Sequence, residues 1–284
     1  MKKLLVFAAA ALMAGAAFAF DTESFTPAGD ISTYTKTDYT IITKFGVTKR
    51  SPTVKYVHVY NSKGFETECA GYNAKDVLID KIVYEYDVSH RLTSSSFFDG
   101  NGKLIWKTEI EYTKDGRISA ESEYDEENNL SGKTIYEYND SEVEKGQAPK
   151  TTESYYDGNG KLLVRSIATN NKDGKPVELC RYYGDGSLDQ KEIYTYNEAG
   201  KLSEVEYVEP SGLTSTKHSY RYDAKGFLTE IRTYNANNVL YQREIFKTDS
   251  KGNPTTVSLY AVSEKFGGTV AELQSQSQMV YSYR

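Results

Sequence analysis

The sequence predicts an all-β protein made of tandem 26-residue antiparallel β-hairpin repeats, forming an extended, twisted or curled sheet with solenoid-like organisation. Three observations lead there. Turn residues recur with a fixed period, side chains alternate in character between turns, and the composition is rich in tyrosine (25) and glycine (21) but poor in proline (6) and methionine (3). Aromatic segments cut by Gly, Asn and Asp are what strands and tight turns require.

The period comes first. One class of turn falls at Gly64, His90, Gly116, Gly174, Gly200, Gly226 and Gly252, and a second class twelve residues later at Asp76, Gly102, Asn128, Gly160, Gly186, Gly212 and Asn238. Steps are 26 residues except across one interval, where both classes gain the same six residues. The insertion therefore lies at 141–150, an enlarged hairpin loop. An Asn or Asp precedes most first-class turns by three residues (Asn61, Asp87, Asn171, Asn197, Asp223, Asp249), where its side chain can bond the following backbone and start the turn. Both half-repeats are even in length, so the in-and-out alternation of side chains survives from one hairpin to the next.

Within a repeat, Leu104, Trp106, Thr108, Ile110 and Tyr112 share one face, while Ile105, Lys107, Glu109 and Glu111 share the other. The first is the buried or half-buried face. The pairs Tyr84/Tyr86, Tyr136/Tyr138, Tyr194/Tyr196 and Tyr220/Tyr222 fall in the same register, so neighbouring repeats line up an aromatic ladder.

The chain opens with a secretory pattern: Lys2 and Lys3, an apolar stretch from Leu4 to Ala17 too short to span a bilayer, and the small-x-small site Ala17-Phe18-Ala19. The expected organisation is a signal peptide at 1–19, an N-terminal cap or linker at 20–55, the repeat array at 56–260 and a C-terminal cap at 261–284. A mature chain without a membrane span, in the periplasm or outside the cell, follows. The whole sequence carries a net charge of −6, and losing Lys2 and Lys3 makes it more acidic, which argues against a general nucleic-acid binder.

Tyr220-Arg-Tyr222-Asp223-Ala-Lys-Gly226-Phe-Leu228, Tyr194-Thr-Tyr196-Asn197-Glu-Ala-Gly200-Lys-Leu202 and Tyr84-Glu-Tyr86-Asp87 with Leu92 resemble the YD, or RHS, repeat of bacterial surface and secreted proteins. The resemblance covers about residues 56–260 and implies long curling β-sheets, sometimes closed into shells around a toxin, with carbohydrate binding. The shell-and-cargo role does not carry over, because no toxin segment follows the repeats and the array is short. A weaker likeness is to MORN-type repeats.

Two surfaces are candidates for binding. The tyrosine ladder could stack on sugar faces, or simply pack as core. Opposite it, five residues after each second-class turn, stands a basic column of Lys81, Lys107, Lys133, Arg165, Lys191, Lys217 and Arg243. Glu68, Glu178, Glu204 and Glu230 on the intervening strands are placed to compensate it, which makes the column either a solvated face that discourages aggregation or a stripe for an acidic polymer.

Chemistry-bearing motifs are sparse. His58, His90 and His218 are scattered through the repeat and read as substitutions in strands and turns, and a zinc site is not expected. Asp99-Gly-Asn-Gly102 and Asp157-Gly-Asn-Gly160 read as hairpin turns rather than calcium loops. Cys69 and Cys180 lie eight strands apart on opposite faces, so no disulfide is expected. No catalytic constellation, metal or cofactor is expected. The function read from the sequence is an exported, non-catalytic scaffold that binds a polysaccharide or an envelope protein; the alternative is a purely structural or assembly component of the envelope. An outer-membrane β-barrel ranks lower, because the face opposite the tyrosines carries charge at mid-strand and the tyrosine face includes Asp80, Gln190, Glu192 and Glu244, and an enzyme ranks lower still.

Overall fold

The computed structural model describes residues 25–45, 47–265 and 267–284; the expected signal peptide lies outside them. Each half-repeat forms a strand. In chain order these are β1 (Ile31–Lys44), β2 (Val47–Tyr60), β3 (Glu66–Asn73), β4 (Leu78–Tyr86), β5 (Leu92–Asp99), β6 (Leu104–Tyr112), β7 (Ile118–Asp125), β8 (Leu130–Tyr138) and β9 (Lys150–Asp157). The second half comprises β10 (Leu162–Asn170), β11 (Pro176–Tyr183), β12 (Leu188–Tyr196), β13 (Leu202–Val208), β14 (Thr214–Tyr222), β15 (Leu228–Asn235), β16 (Leu240–Thr248), β17 (Pro254–Lys265) and β18 (Gly268–Tyr283). The enlarged loop holds the short helix α1 (Asp140–Val143).

The turns form as their residues require. Asn61 N–H donates to Phe65 O (2.8 Å) and Gly64 N–H to Asn61 O (3.0 Å), while the Asn61 side-chain oxygen accepts from the N–H groups of Lys63 and Phe65. The same arrangement recurs at Asp87, Asp99, Asp125, Asp157, Asn171 and Asp223. The residue that closes each turn has positive φ, including His90 (65°), Asp76 (60°) and Asn128 (63°) where no glycine stands. In the Asp-Gly-Asn-Gly turns the first glycine serves a different need: a Cβ on Gly100 or Gly158 would come within 2.4 Å of Leu78 O or 2.3 Å of Leu130 O. These turns pack directly on the backbone of the preceding hairpin.

Every strand pairs antiparallel with its sequence neighbours, and β1 pairs with β18 as well as β2, so the sheet closes into an 18-stranded up-and-down barrel. The open, solenoid-like sheet is thereby corrected. The physical reason is in the register. Ile82 faces Phe97, which faces Trp106, although the repeat equivalent of Ile82 is Thr108. Each hairpin thus steps two residues along its predecessor. Nine such steps displace the chain by about 18 residues per circuit, a shear equal to the strand number, which sets a tilt of about 36° and a backbone radius of about 17 Å. A bulge in each hairpin pair adds twist in the same sense, for instance between Glu85 and Tyr86. Within the segments expected as caps, Ile31–Lys44, residues 261–265 of β17 and Gly268–Tyr283 are barrel wall: β1 and β18 meet at the seam, and among the described residues no edge strand is left to cover.

The seam has its own clasp. Asn253, 1% exposed, accepts from Ala28 N–H at 2.6 Å and donates to Ala28 O and Tyr283 Oη at 2.9 Å each. Arg284 donates to Tyr60 O (2.5 Å) and to Ile31 O and Asp30 Oδ1 (2.8 Å each). Replacing Asn253 by alanine strands a backbone donor and acceptor, so the Asn253→Ala variant is expected to lose about 3 kcal/mol of unfolding free energy in a denaturant titration.

Candidate functional site: the lumen wall

In a closed barrel, side chains converge on the concave wall and splay on the convex one. The tyrosine-bearing face is the crowded one, with Tyr194 6%, Phe246 5% and Ile231 1% exposed, against 38% for Ile135 and Ile193 and 40% for Tyr241 on the other face. The aromatic ladder therefore lines the lumen and the basic column faces outward. A barrel of this strand number leaves a water-filled interior after its side chains are placed.

The two tyrosines of each pair do different work. The second one is a latch: Tyr86, Tyr138, Tyr196 and Tyr222 donate to the carbonyls of Glu66, Ile118, Pro176 and Leu202, each twenty residues earlier, at 2.7–2.9 Å. Tyr112 does the same to Leu92 O. A basic residue from the preceding turn covers the ring, as Arg117 covers Tyr138 (4.1 Å) and Lys201 covers Tyr222 (5.3 Å). The first tyrosine of each pair lies deeper in the wall. Tyr136 donates to Glu121 (3.1 Å) and Tyr194 to Glu192 (2.5 Å), while Tyr194 and Tyr220 join Leu202, Val205, Ile231 and Phe246 in a continuous apolar cluster; Tyr84 occupies the same register.

Between the rings stand carboxyls, of which the sequence analysis placed Asp80, Glu192 and Glu244 on this face but assigned them no role. Asp80, Glu121, Glu123, Glu153, Glu192 and Glu244 share this wall, and burial pushes each of them up from the usual carboxylate range. Glu121 reaches about 7, with burial the largest cause and the Tyr136 hydrogen bond opposing it. The signal was present as acids breaking the apolar parity of the tyrosine face, but only closure turns that face into a desolvating wall. Trp106, the one tryptophan of the sequence, also faces the lumen, stacked on Phe97 at 5.6 Å.

The outward column is compensated by the acids expected for it. Lys81 meets Glu68 (3.4 Å), Lys191 meets Glu178 (2.5 Å), Lys217 meets Glu204 (3.6 Å) and Arg243 meets Glu230 (2.5 Å). Lys107 and Lys133 pair instead with Glu109 (2.6 Å) and Glu111 (3.7 Å), and Arg165 donates to Ser154 Oγ (3.4 Å). Burial pushes Glu230 up, but its bonds to Arg232 and Arg243 outweigh that and hold it below the usual range.

Cys69 and Cys180 are on β3 and β11, on opposite faces, with no disulfide. The structure does bring together three residues that the sequence analysis left apart: His58 Nδ1 lies 2.6 Å from Glu66 Oε1, and His58 Nε2 lies 3.7 Å from Cys69 Sγ, on the lumen wall. The sequence signal was that each departs from the residue type at its repeat position.

Glu121 gives a pH test. A carboxyl raised in the folded state stabilises fully below its unfolded pKa, near 4.5, and that contribution is lost as pH rises through about 7. The protein is expected to lose about 3 kcal/mol of stability between pH 4.5 and 8 on this account. The Glu121→Gln variant should flatten that slope and melt higher than the parent at pH 8, which thermal melts across the range would show.

No family model matches the chain, and no curated protein matches it. Among solved structures, a porin-like protein from Bacteroides uniformis aligns over 89% of this chain and 98% of its own at 11% identity and a TM-score of 0.46. TcdB2-TccC3 without its hypervariable C-terminal region aligns over 78% of this chain and 20% of its own at 12% identity and a TM-score of 0.17. The N-terminal domain of the effector protein SpvB from Salmonella typhimurium strain LT2 aligns over 85% and 97% at 12% identity and a TM-score of 0.17. What stands is an all-β architecture of repeated antiparallel hairpins, closed into a barrel by this chain's own strand pairing.

Proposed function

We propose that this protein is an exported, non-catalytic barrel that works with its outer wall in water and takes a polyhydroxylated ligand, a glycan, into its lumen. The observation that carries the reading is the mixture of half-buried rings and half-buried carboxyls on the inner wall, with Trp106 stacked on Phe97 and Asp80, Glu123 and Glu192 on the same wall. Rings offer apolar faces to a pyranose, and carboxyls accept from its hydroxyls. The YD-type resemblance supports the same direction, as does the secretory pattern ending at Ala19.

A membrane-spanning barrel is the second reading, favoured by the strand number and by a wall about 24 Å high, close to the apolar band such barrels present. The outward column weighs against it. A Lys or Arg facing lipid at mid-bilayer costs about 2–4 kcal/mol, and Lys81 through Arg243 repeat that placement in the seven hairpins from β3–β4 to β15–β16.

Two measurements check this. Expressed with its leader and fractionated, the chain is expected in the detergent-free soluble fraction; recovery only from detergent-extracted membranes would favour the second reading. Trp106 then reports on the lumen: oligosaccharides are expected to shift its emission and slow acrylamide quenching. A panel of neutral, amino and acidic glycans that leaves Trp106 unchanged while acrylamide quenches it freely would leave a purely structural role.

A further inference from the structure

The first hairpin breaks the repeat pattern three times in one place. The position of His58 is filled by Tyr84, Ile110, Tyr136, Ala168, Tyr194, Tyr220 or Phe246 in other repeats. The position of Cys69 is filled by Ser95, Glu121, Glu153, Leu179, Val205, Ile231 or Val257, and that of Glu66 by Leu92, Ile118, Lys150, Pro176, Leu202, Leu228 or Pro254. No packing need of the array asks for a thiol, an imidazole and a carboxyl there. Yet His58 and Cys69 are directly opposed on β2 and β3, and Glu66 enters the same strand past a bulge opposite Tyr60.

The imidazole spends both nitrogens. Nδ1 faces Glu66 Oε1 at 2.6 Å and Nε2 faces Cys69 Sγ at 3.7 Å, and the ring is held flat by Tyr34, stacked at 4.0 Å with 6° between planes. His58 is 8% exposed and Cys69 half-buried on the lumen side. A carboxylate only accepts, so the proton sits on Nδ1 and the Nε2 lone pair points at sulfur. The same three groups could crowd round a metal ion, since one ligand atom from each lies within 4.8 Å of the others. A ring whose two nitrogens face two different partners suits a proton relay better than a chelate.

We propose that Glu66, His58 and Cys69 form a carboxylate–imidazole–thiol triad that makes Cys69 a nucleophile toward small disulfides entering the lumen. Nε2 takes the thiol proton, the thiolate attacks one sulfur of the disulfide, the S–S bond breaks, and the departing thiolate takes the proton from the imidazolium. The product is a mixed disulfide on Cys69 and one free small thiol, with no net change in oxidation. The lumen carboxyls, Asp80 nearest, favour neutral or cationic disulfides over anionic ones. The other titratable groups facing the triad are Lys36, which lies over the Tyr56 ring and pairs with Asp38 (3.4 Å), and the tyrosines: Tyr34, Tyr60 and Tyr86, which burial pushes up first of all, together with Tyr56, Tyr84 and Tyr281. Burial keeps Tyr34, Tyr60 and Tyr86 neutral through the working range.

The chain carries its own control. Cys180 faces outward, and burial followed by the Glu178 carboxylate 3.6 Å away pushes its thiol up. With 4,4′-dithiodipyridine, Cys69 (in Cys180→Ser) is expected to react at pH 6 about tenfold or more faster than Cys180 (in Cys69→Ser), with mass spectrometry placing the adduct. His58→Gln should abolish the difference and restore an ordinary thiol profile that rises through about pH 8.5; Glu66→Gln should shift the profile the same way by less. Circular dichroism and an unchanged melting temperature verify the fold of each variant. Equal rates for the two thiols at pH 6, or a pH profile of Cys69 indifferent to both substitutions, would overturn the triad. So would stoichiometric zinc binding lost in Cys69→Ser, which makes the cluster a metal site. None of these outcomes bears on glycan binding.

Discussion

Closure of the barrel rests on a register step of two residues per hairpin, fixed by the turns. Most turns are built from one Asx or Thr side chain and one residue in the left-handed region, and the turns at Tyr183 and Glu209 make the same backbone bonds without such a side chain, so these hairpins leave their partners at the same offset. Repeated round the sheet, that offset gives a tilt and radius at which β1 and β18 meet in register from Thr33 to Thr40. The second-row tyrosines reinforce the step: a hydroxyl reaching back twenty residues to a carbonyl holds successive hairpins at one relative position.

Curvature then assigns chemistry to the walls. Side chains that alternate along flat strands experience one environment; bent into a ring, they divide into a crowded inner set and a splayed outer set. The inner carboxyls lose water and rise in pKa, and tyrosine hydroxyls donate to Glu121, Glu123 and Glu192 among them. The outer charges stay hydrated and pair across strands, which contributes little stability individually but keeps a large charged surface nearly neutral.

Against so regular a background, local departures carry information. A repeat array samples each position many times within a single chain, so a residue type that appears once at a position is visible without any other sequence. The meeting of His58, Glu66 and Cys69 is of this kind, and so is the clasp of Asn253 on Ala28 and Tyr283, which replaces a turn-to-strand contact with a lock across the seam.

The sequence by itself determined the hairpins. Turn positions, strand parity, the enlarged loop at 141–150, the separation of the two cysteines and the pairing of Lys81, Lys191, Lys217 and Arg243 with acids on neighbouring strands all follow from local periodicity, because turns and cross-strand pairs are short-range. Closure was not legible, since it depends on a small offset summed over the whole sheet and on strands at residues 31–60 and 254–283 whose pairing with each other spans more than 200 residues. Only that long-range sum decided which face is a lumen, which carboxyls are desolvated, and that a histidine, a glutamate and a cysteine of the first hairpin look into it.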